Sequence, residues 1–172
     1  MGTGWLQRYF VDGSGGAVIG AFTTGVPLAF YSNGSLRATL SANGNLGVGT
    51  ASPTTTLDVS GSVSIAKANV QSQTLTDAST ISWNTALGQI ATVTLGGNRT
   101  IANPTGLVAG QSGSIFIVQD GTGSRTLSWG SYWDFAGGTA PTLTTSASAV
   151  DRVDYIVRSS TSIHTVFTGN YS

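Results

Sequence analysis

An all-β fold is the class this sequence predicts, and three observations predict it. Leu, Ile, Val and Phe supply 41 of the 172 residues, enough to build a core. They recur at period two in short runs, the spacing of a strand with one face to bury. Gly, Asn, Asp and Pro stand between the runs, so turn signals return about every ten residues. The expected architecture is a meander of short strands followed by a jelly-roll-like β-sandwich, divided as residues 1–16, 17–69 and 70–172.

In chain order, the first apolar cluster is Trp5, Leu6, Tyr9 and Phe10, at i, i+1, i+4 and i+5, which fits a short helix or an irregular plug. From 17 to 40, the strand-like runs AVIGAF, LAFYS and SLRATL alternate with turns. Asn33-Gly34 between two such runs is a strong hairpin signal. Residues 43–61 read NGNLGVGTASPTTTLDVSG, where Leu46 and Val48, then Leu57 and Val59, form two pairs at period two. Pro53 cannot donate to a ladder and Gly49 tolerates positive φ, so residues 49–53 are expected to turn sharply between two very short strands. A pair this small does not stand alone in water. Its missing apolar surface has to come from elsewhere in the chain or from other copies of it.

The second half carries longer, β-branched runs at 80–83, 89–95, 99–102, 114–119, 125–129, 153–157 and 162–167. Asp120-Gly121-Thr122-Gly123 predicts a hairpin turn that makes IFIVQ and RTLSW neighbours. Asn103-Pro104 predicts a strand end, since proline removes a donor and holds its predecessor extended. The only stretch here that fits a helix is 146–152.

Composition narrows the function. Charged residues make up 8% of the chain, with no Glu and one Lys, against about 25% in ordinary soluble domains. Gly, Ser and Thr fill 71 positions, a hydroxyl-rich profile suited to a surface covered by other subunits. Net charge is zero, so no nucleic-acid partner is expected. With no cysteine, disulfides and thiolate metal sites are excluded. The opening MGTGWLQRYFVDGSGG is not a signal-peptide pattern, and no apolar run approaches the roughly 20 residues of a membrane-spanning helix, so membrane insertion is not expected.

Chemistry is equally sparse. The one histidine, His164, lies within the alternating run SIHTVF without further ligands of the right kind. Asp151 and Asp154 are three apart, which puts them on opposite faces of a strand. Gly47-Val48-Gly49 and Gly121-Thr122-Gly123 lack the following helix and acidic residue of a dinucleotide fingerprint, and no G-x-S-x-G elbow occurs. No catalytic residue, metal or cofactor is expected, and the chain is read as a non-enzyme. The richest cluster is Trp129-Gly130-Ser131-Tyr132-Trp133-Asp134-Phe135, expected on a loop. There Trp129, Tyr132, Trp133 and Asp134 offer ring faces and a carboxylate to a sugar, while the alternative is that the rings simply fill the core. Trp83 and Asn84 are a weaker pair of the same kind. Arg125 and Asp120 read as an ion pair across a turn.

Residues 28–65 resemble a segment that recurs in bacteriophage tail-fibre and spike proteins, G-N-[VIL]-G-[VIL]-G-T-x-x-P-x-x-x-L-x-V-x-G. It matches here at Gly44, Asn45, Gly47, Gly49, Thr50, Pro53, Leu57, Val59 and Gly61. The stretches TLGGNRTIANPTG, VQDGTGSRTLSWG and GGTAPTLTTSASAVD look like a β-rich module near the ends of phage fibre proteins. The resemblance implies a homotrimeric part on the particle exterior, made in the host cytoplasm, with an interwoven fibre segment over 17–69 and a tip over 70–172. Its implied partners are copies of itself, other virion proteins and a host surface polysaccharide. On that reading Leu46, Val48, Leu57 and Val59 form the trimer seam, Trp5, Leu6, Tyr9 and Phe10 attach to the virion, and Trp129, Tyr132, Trp133 and Asp134 contact the glycan. The alternative is a purely structural capsid head fibre, decoration protein or tail component with no receptor binding.

Overall fold

The computed structural model describes residues 9–11, 17–19 and 25–171. The chain divides into two compact units between Lys67 and Ala68. Each is built of strands, and the all-β expectation holds.

In the first unit, β1 (Tyr9–Val11) pairs antiparallel with β2 (Ala17–Ile19). Tyr9 and Phe10 therefore lie in a strand, and the helix pattern drawn through them fails there; Trp5 and Leu6 lie outside the described residues. A separate four-stranded sheet follows in chain order: β3 (Leu28–Ser32), β4 (Ser35–Leu40), β5 (Leu46–Val48) and β6 (Leu57–Val59). Asn33 (φ 51°) and Gly34 (φ 72°) both take left-handed backbone at the β3–β4 turn, as a two-residue hairpin requires.

The β5–β6 connection corrects the expected hairpin. The two strands are parallel neighbours, with Leu46 opposite Leu57 and Val48 opposite Val59. Gly49 (φ 75°) starts the turn and donates its N–H to the Arg37 carbonyl at 2.9 Å. Residues 50–56 then cross one face of the sheet rather than doubling back beside β5. Leu46 N–H donates to the Thr56 carbonyl (2.8 Å) and Ser60 N–H to the Val48 carbonyl (2.9 Å), which fixes the parallel register. The crossing loop presses on Gly47: a Cβ there would sit 2.6 Å from the Thr50 carbonyl oxygen and 3.5 Å from Pro53 Cβ. Only glycine fits.

The second unit winds nine strands into two facing sheets. They are β7 (Ser72–Thr74), β8 (Thr80–Ile81), β9 (Ile90–Leu95), β10 (Arg99–Ile101), β11 (Ser112–Gln119), β12 (Leu127–Trp129), β13 (Trp133–Phe135), β14 (Val150–Ser159) and β15 (Ser162–Tyr171). One sheet has the order β13-β15-β14-β11-β9-β7 and the other β12-β10-β8. Strands β7, β9 and β11 are mutually parallel in the first sheet, and β8, β10 and β12 in the second. The chain thus alternates between sheets, and each coil adds one strand to both. The connectivity is that of a short wound coil, not the antiparallel order of a jelly roll.

This winding corrects two further expectations. Asp120 to Gly123 carry the chain from one sheet to the other, so IFIVQ and RTLSW are not paired; β12 runs parallel to β10 instead. Residues 146–152 form no helix, and β14 begins at Val150. Val153, Tyr155 and Val157 alternate inward along it, and the buried Asp151 carboxylate accepts from the Thr144 and Asn170 N–H groups at 2.8 and 2.9 Å. Those two bonds satisfy a carboxylate that a helix would have turned elsewhere. The sheets meet over one apolar cluster that includes Ile81, Ile101, Ile115, Ile117, Val93 and Ile163.

Candidate functional site

The first unit carries an apolar face that no other described residue covers. Residues in direct register share a face of a sheet, and two registered rows cross all four strands of the β3–β6 sheet. One is Leu28, Leu40, Leu46, Leu57; the other is Phe30, Ala38, Val48, Val59. Leu57 is 59% exposed, Phe30 50%, Leu40 42%, Val48 40% and Leu46 39%. The opposite face carries Thr39 and Gly47, and these are the buried ones. The loop over residues 50–53 lies against Gly47 on that side. The sheet thus buries its small and polar side and leaves its leucine side open, the reverse of a sheet that completes its own core. Leu46, Val48, Leu57 and Val59, singled out by period alone, share this face; Leu28, Phe30 and Leu40 extend it, and only the pairing register could have added them.

The second unit carries a groove of about 420 Å³ between the open edges of its two sheets. Leu127 and Trp129 line it from β12, Trp133, Asp134 and Phe135 from β13, and Gly138 and Ala140 from the following turn. Among the described residues both strands are edges, since β12 pairs only with β10 and β13 only with β15. Gly137 and Gly138 (φ 73° each) curl the turn that forms one rim.

The aromatic residues here do two jobs. Trp133 is only 6% exposed; its ring stacks on Trp83 at 6.3 Å and its Nε1–H donates to the Ala102 carbonyl at 3.2 Å. It is a core residue that forms the groove floor. Tyr132 is half-buried against the core and does not line the groove. Trp129, half-buried, meets Trp133 edge-on at 5.0 Å and Phe135 at 4.9 Å, so its ring is held by two neighbours. Asp134 is exposed at the rim, where its Oδ2 accepts from the Ser162 hydroxyl at 2.6 Å. Of the four residues read as sugar contacts, then, Trp129 and Asp134 offer accessible chemistry, and Phe135 joins them.

Trp83 and Asn84 have structural roles. Trp83 is buried against Tyr155, ring centroids 5.3 Å apart, and the Asn84 side chain accepts from Ala86 N–H to cap a single 3₁₀ turn, Thr85–Leu87. His164 lies on β15 in register with Asp134 and is exposed.

Asn103 is the positioning residue that sequence reasoning missed. Its Oδ1 accepts from Tyr132 N–H at 2.9 Å and its Nδ2 donates to the Ser131 hydroxyl at 3.2 Å, which ties the link between the groove strands to the end of β10. Gly130 permits this approach, because a Cβ there would collide with Asn103. The Asn-Pro pair gave a strand-end signal, but nothing in it pointed 29 residues ahead.

Residues 76–159 match the family model described as "Putative phage tail fibre C-terminal domain". The matched stretch is just under half of the 172 residues and contains both groove strands. It supports a phage tail-fibre type of protein, a virion-associated structural part. It does not reach residues 43–61, so that segment rests on its resemblance alone. No curated protein and no solved structure matches the chain.

Proposed function

We propose that this chain is a non-enzymatic, homotrimeric phage fibre or spike part whose first unit assembles with copies of itself and whose second unit contacts the host surface, with a surface polysaccharide as ligand. The observation that carries the reading is the open apolar face of the β3–β6 sheet. Five large side chains, 39–59% exposed, stand there in two registered rows. Covering them would contribute on the order of 5 kcal/mol per chain before entropy, and pairing between chains would also remove exposed sheet edges. The tail-fibre match over residues 76–159 supports the setting, and the groove between β12 and β13 supplies rings and a carboxylate of the kind that hold sugars. Repetition of a weak site around a trimer would strengthen binding without new contacts.

Light scattering on the purified chain tests the assembly. The expected mass is that of three chains, falling to one when Leu46 and Val48 are both replaced by Asp, because two carboxylates cannot be buried unpaired at a seam. A stable monomer from the unsubstituted chain would remove the assembly from the proposal. Binding of the full chain to host cells separates the two roles: a trimer that joins particles and never binds cells is the purely structural head-fibre, decoration or tail part.

A further inference from the structure

We infer that the groove between β12 and β13 selects saccharides without acidic groups and favours an amino-bearing unit beside Asp134; this rests on the host-glycan reading above. At about 420 Å³ the groove falls within the size range of small-ligand sites. Trp129 and Phe135 give it two half-buried rings at fixed mutual geometry, the apolar surface a sugar ring covers.

Charge decides which sugar. Asp134 is the only ionisable residue with a carboxylate or cationic group among those lining the groove. Of the four arginines of this unit, three are engaged with carboxylates, Arg99 with Asp77 at 2.6 Å, Arg125 with Asp120 at 2.7 Å and Arg152 with Asp154 at 2.9 Å, and the fourth, Arg158 on β14, does not line the groove. Among the described residues, no arginine or lysine lines the groove to meet a bound acid. One oxygen of Asp134 is taken by Ser162; among the described residues Oδ1 has no partner and can accept from a ligand O–H or N–H. A carboxylate on the ligand has no proton to donate at neutral pH, and it meets the like charge of Asp134 at the rim. An ammonium group gains from the same field.

The test uses the full chain and three tetrasaccharides of equal length, built from glucose, glucosamine or galacturonic acid, titrated while the Trp129 indole N–H is followed by NMR. Measurement at about pH 5.5 keeps the glucosamine amines protonated and the uronates ionised, and the same titrations on His164→Gln remove the imidazole that stands in register with Asp134. The expected result is movement of Trp129 by the neutral and amino saccharides, with the acidic one at least fivefold weaker. Asp134→Asn, which keeps an acceptor for Ser162, is expected to shrink the amino-to-acid preference at least fivefold. Acidic saccharide binding at Trp129 as tight as the amino one, or a preference unchanged in Asp134→Asn, overturns the selectivity and leaves glycan contact standing. If no saccharide of any class moves Trp129, the glycan reading falls and the selectivity with it.

Discussion

Asp120 shows how a single residue holds the passage between the two sheets of the second unit. Its Oδ2 pairs with the Arg125 guanidinium at 2.7 Å, while its Oδ1 accepts from the Thr122 and Gly123 N–H groups at 3.0 and 2.9 Å. The arginine first, and then those two amides, hold the carboxyl down from its ordinary 3.8 to about 2. Asp77 is lowered too, chiefly by its hydrogen bond to Arg99. A carboxylate depressed in the folded state adds stability above its unfolded value, and that stability is lost as pH falls towards the folded one. Thermal midpoints are therefore expected to decline between about pH 4 and pH 2, and Asp120→Asn to show a shallower decline. Parallel curves would mean the pair contributes nothing. The pair itself was readable five residues apart in sequence. The partner of Asp77, on the next coil, was not.

At the scale of elements, the β5–β6 crossing decides what the first unit exposes. A hairpin would have set Leu57 and Val59 in an order fixed by the turn. The parallel crossing instead stacks Leu46 on Leu57 and Val48 on Val59, and lays its loop on the Thr39 and Gly47 side. Glycine at 47 is what permits that close approach. Gly47→Ala is expected to destabilise the sheet by about 1–3 kcal/mol, the usual range for forcing an extra methyl into a packed site. The loss would be read as a lower thermal midpoint; an unchanged midpoint would mean the loop lifts away without cost. The groove strands show the complementary effect. β13 was expected as loop, yet Trp133 turns inward to the core and Asp134 outward, the alternation of a strand.

For the molecule as a whole, the division between Lys67 and Ala68 is marked by a stretch without strands, residues 60–71, whose side chains are exposed. Lys67 is the chain's one lysine, and the arginines of the second unit sit in or beside strands or in ion pairs. Brief trypsin treatment is expected to cut first after Lys67 and leave a fragment beginning at Ala68, identified by mass spectrometry. First cleavage after Arg99 or Arg152 would mean that the second unit opens more readily than the segment before it.

What the sequence by itself determined were the local matters. The all-β class, the Asn33-Gly34 hairpin, the strands expected over residues 89–95 and 99–102 and the apolar character of Leu46, Val48, Leu57 and Val59 all follow from period and turn chemistry, which act over a few residues. What only the tertiary structure decided was who sits beside whom. Parallel pairing brings together residues 18 to 28 apart along the wound coils, and nothing in a period of two records that distance. The same long-range pairing sent Trp133 into the core and left Trp129 and Asp134 at a groove between sheet edges. The open leucine face of the first unit joins four strands through pairs 6 to 12 residues apart, Leu28 with Leu40, Leu40 with Leu46 and Leu46 with Leu57, yet its membership too was decided by register, which a period of two does not fix.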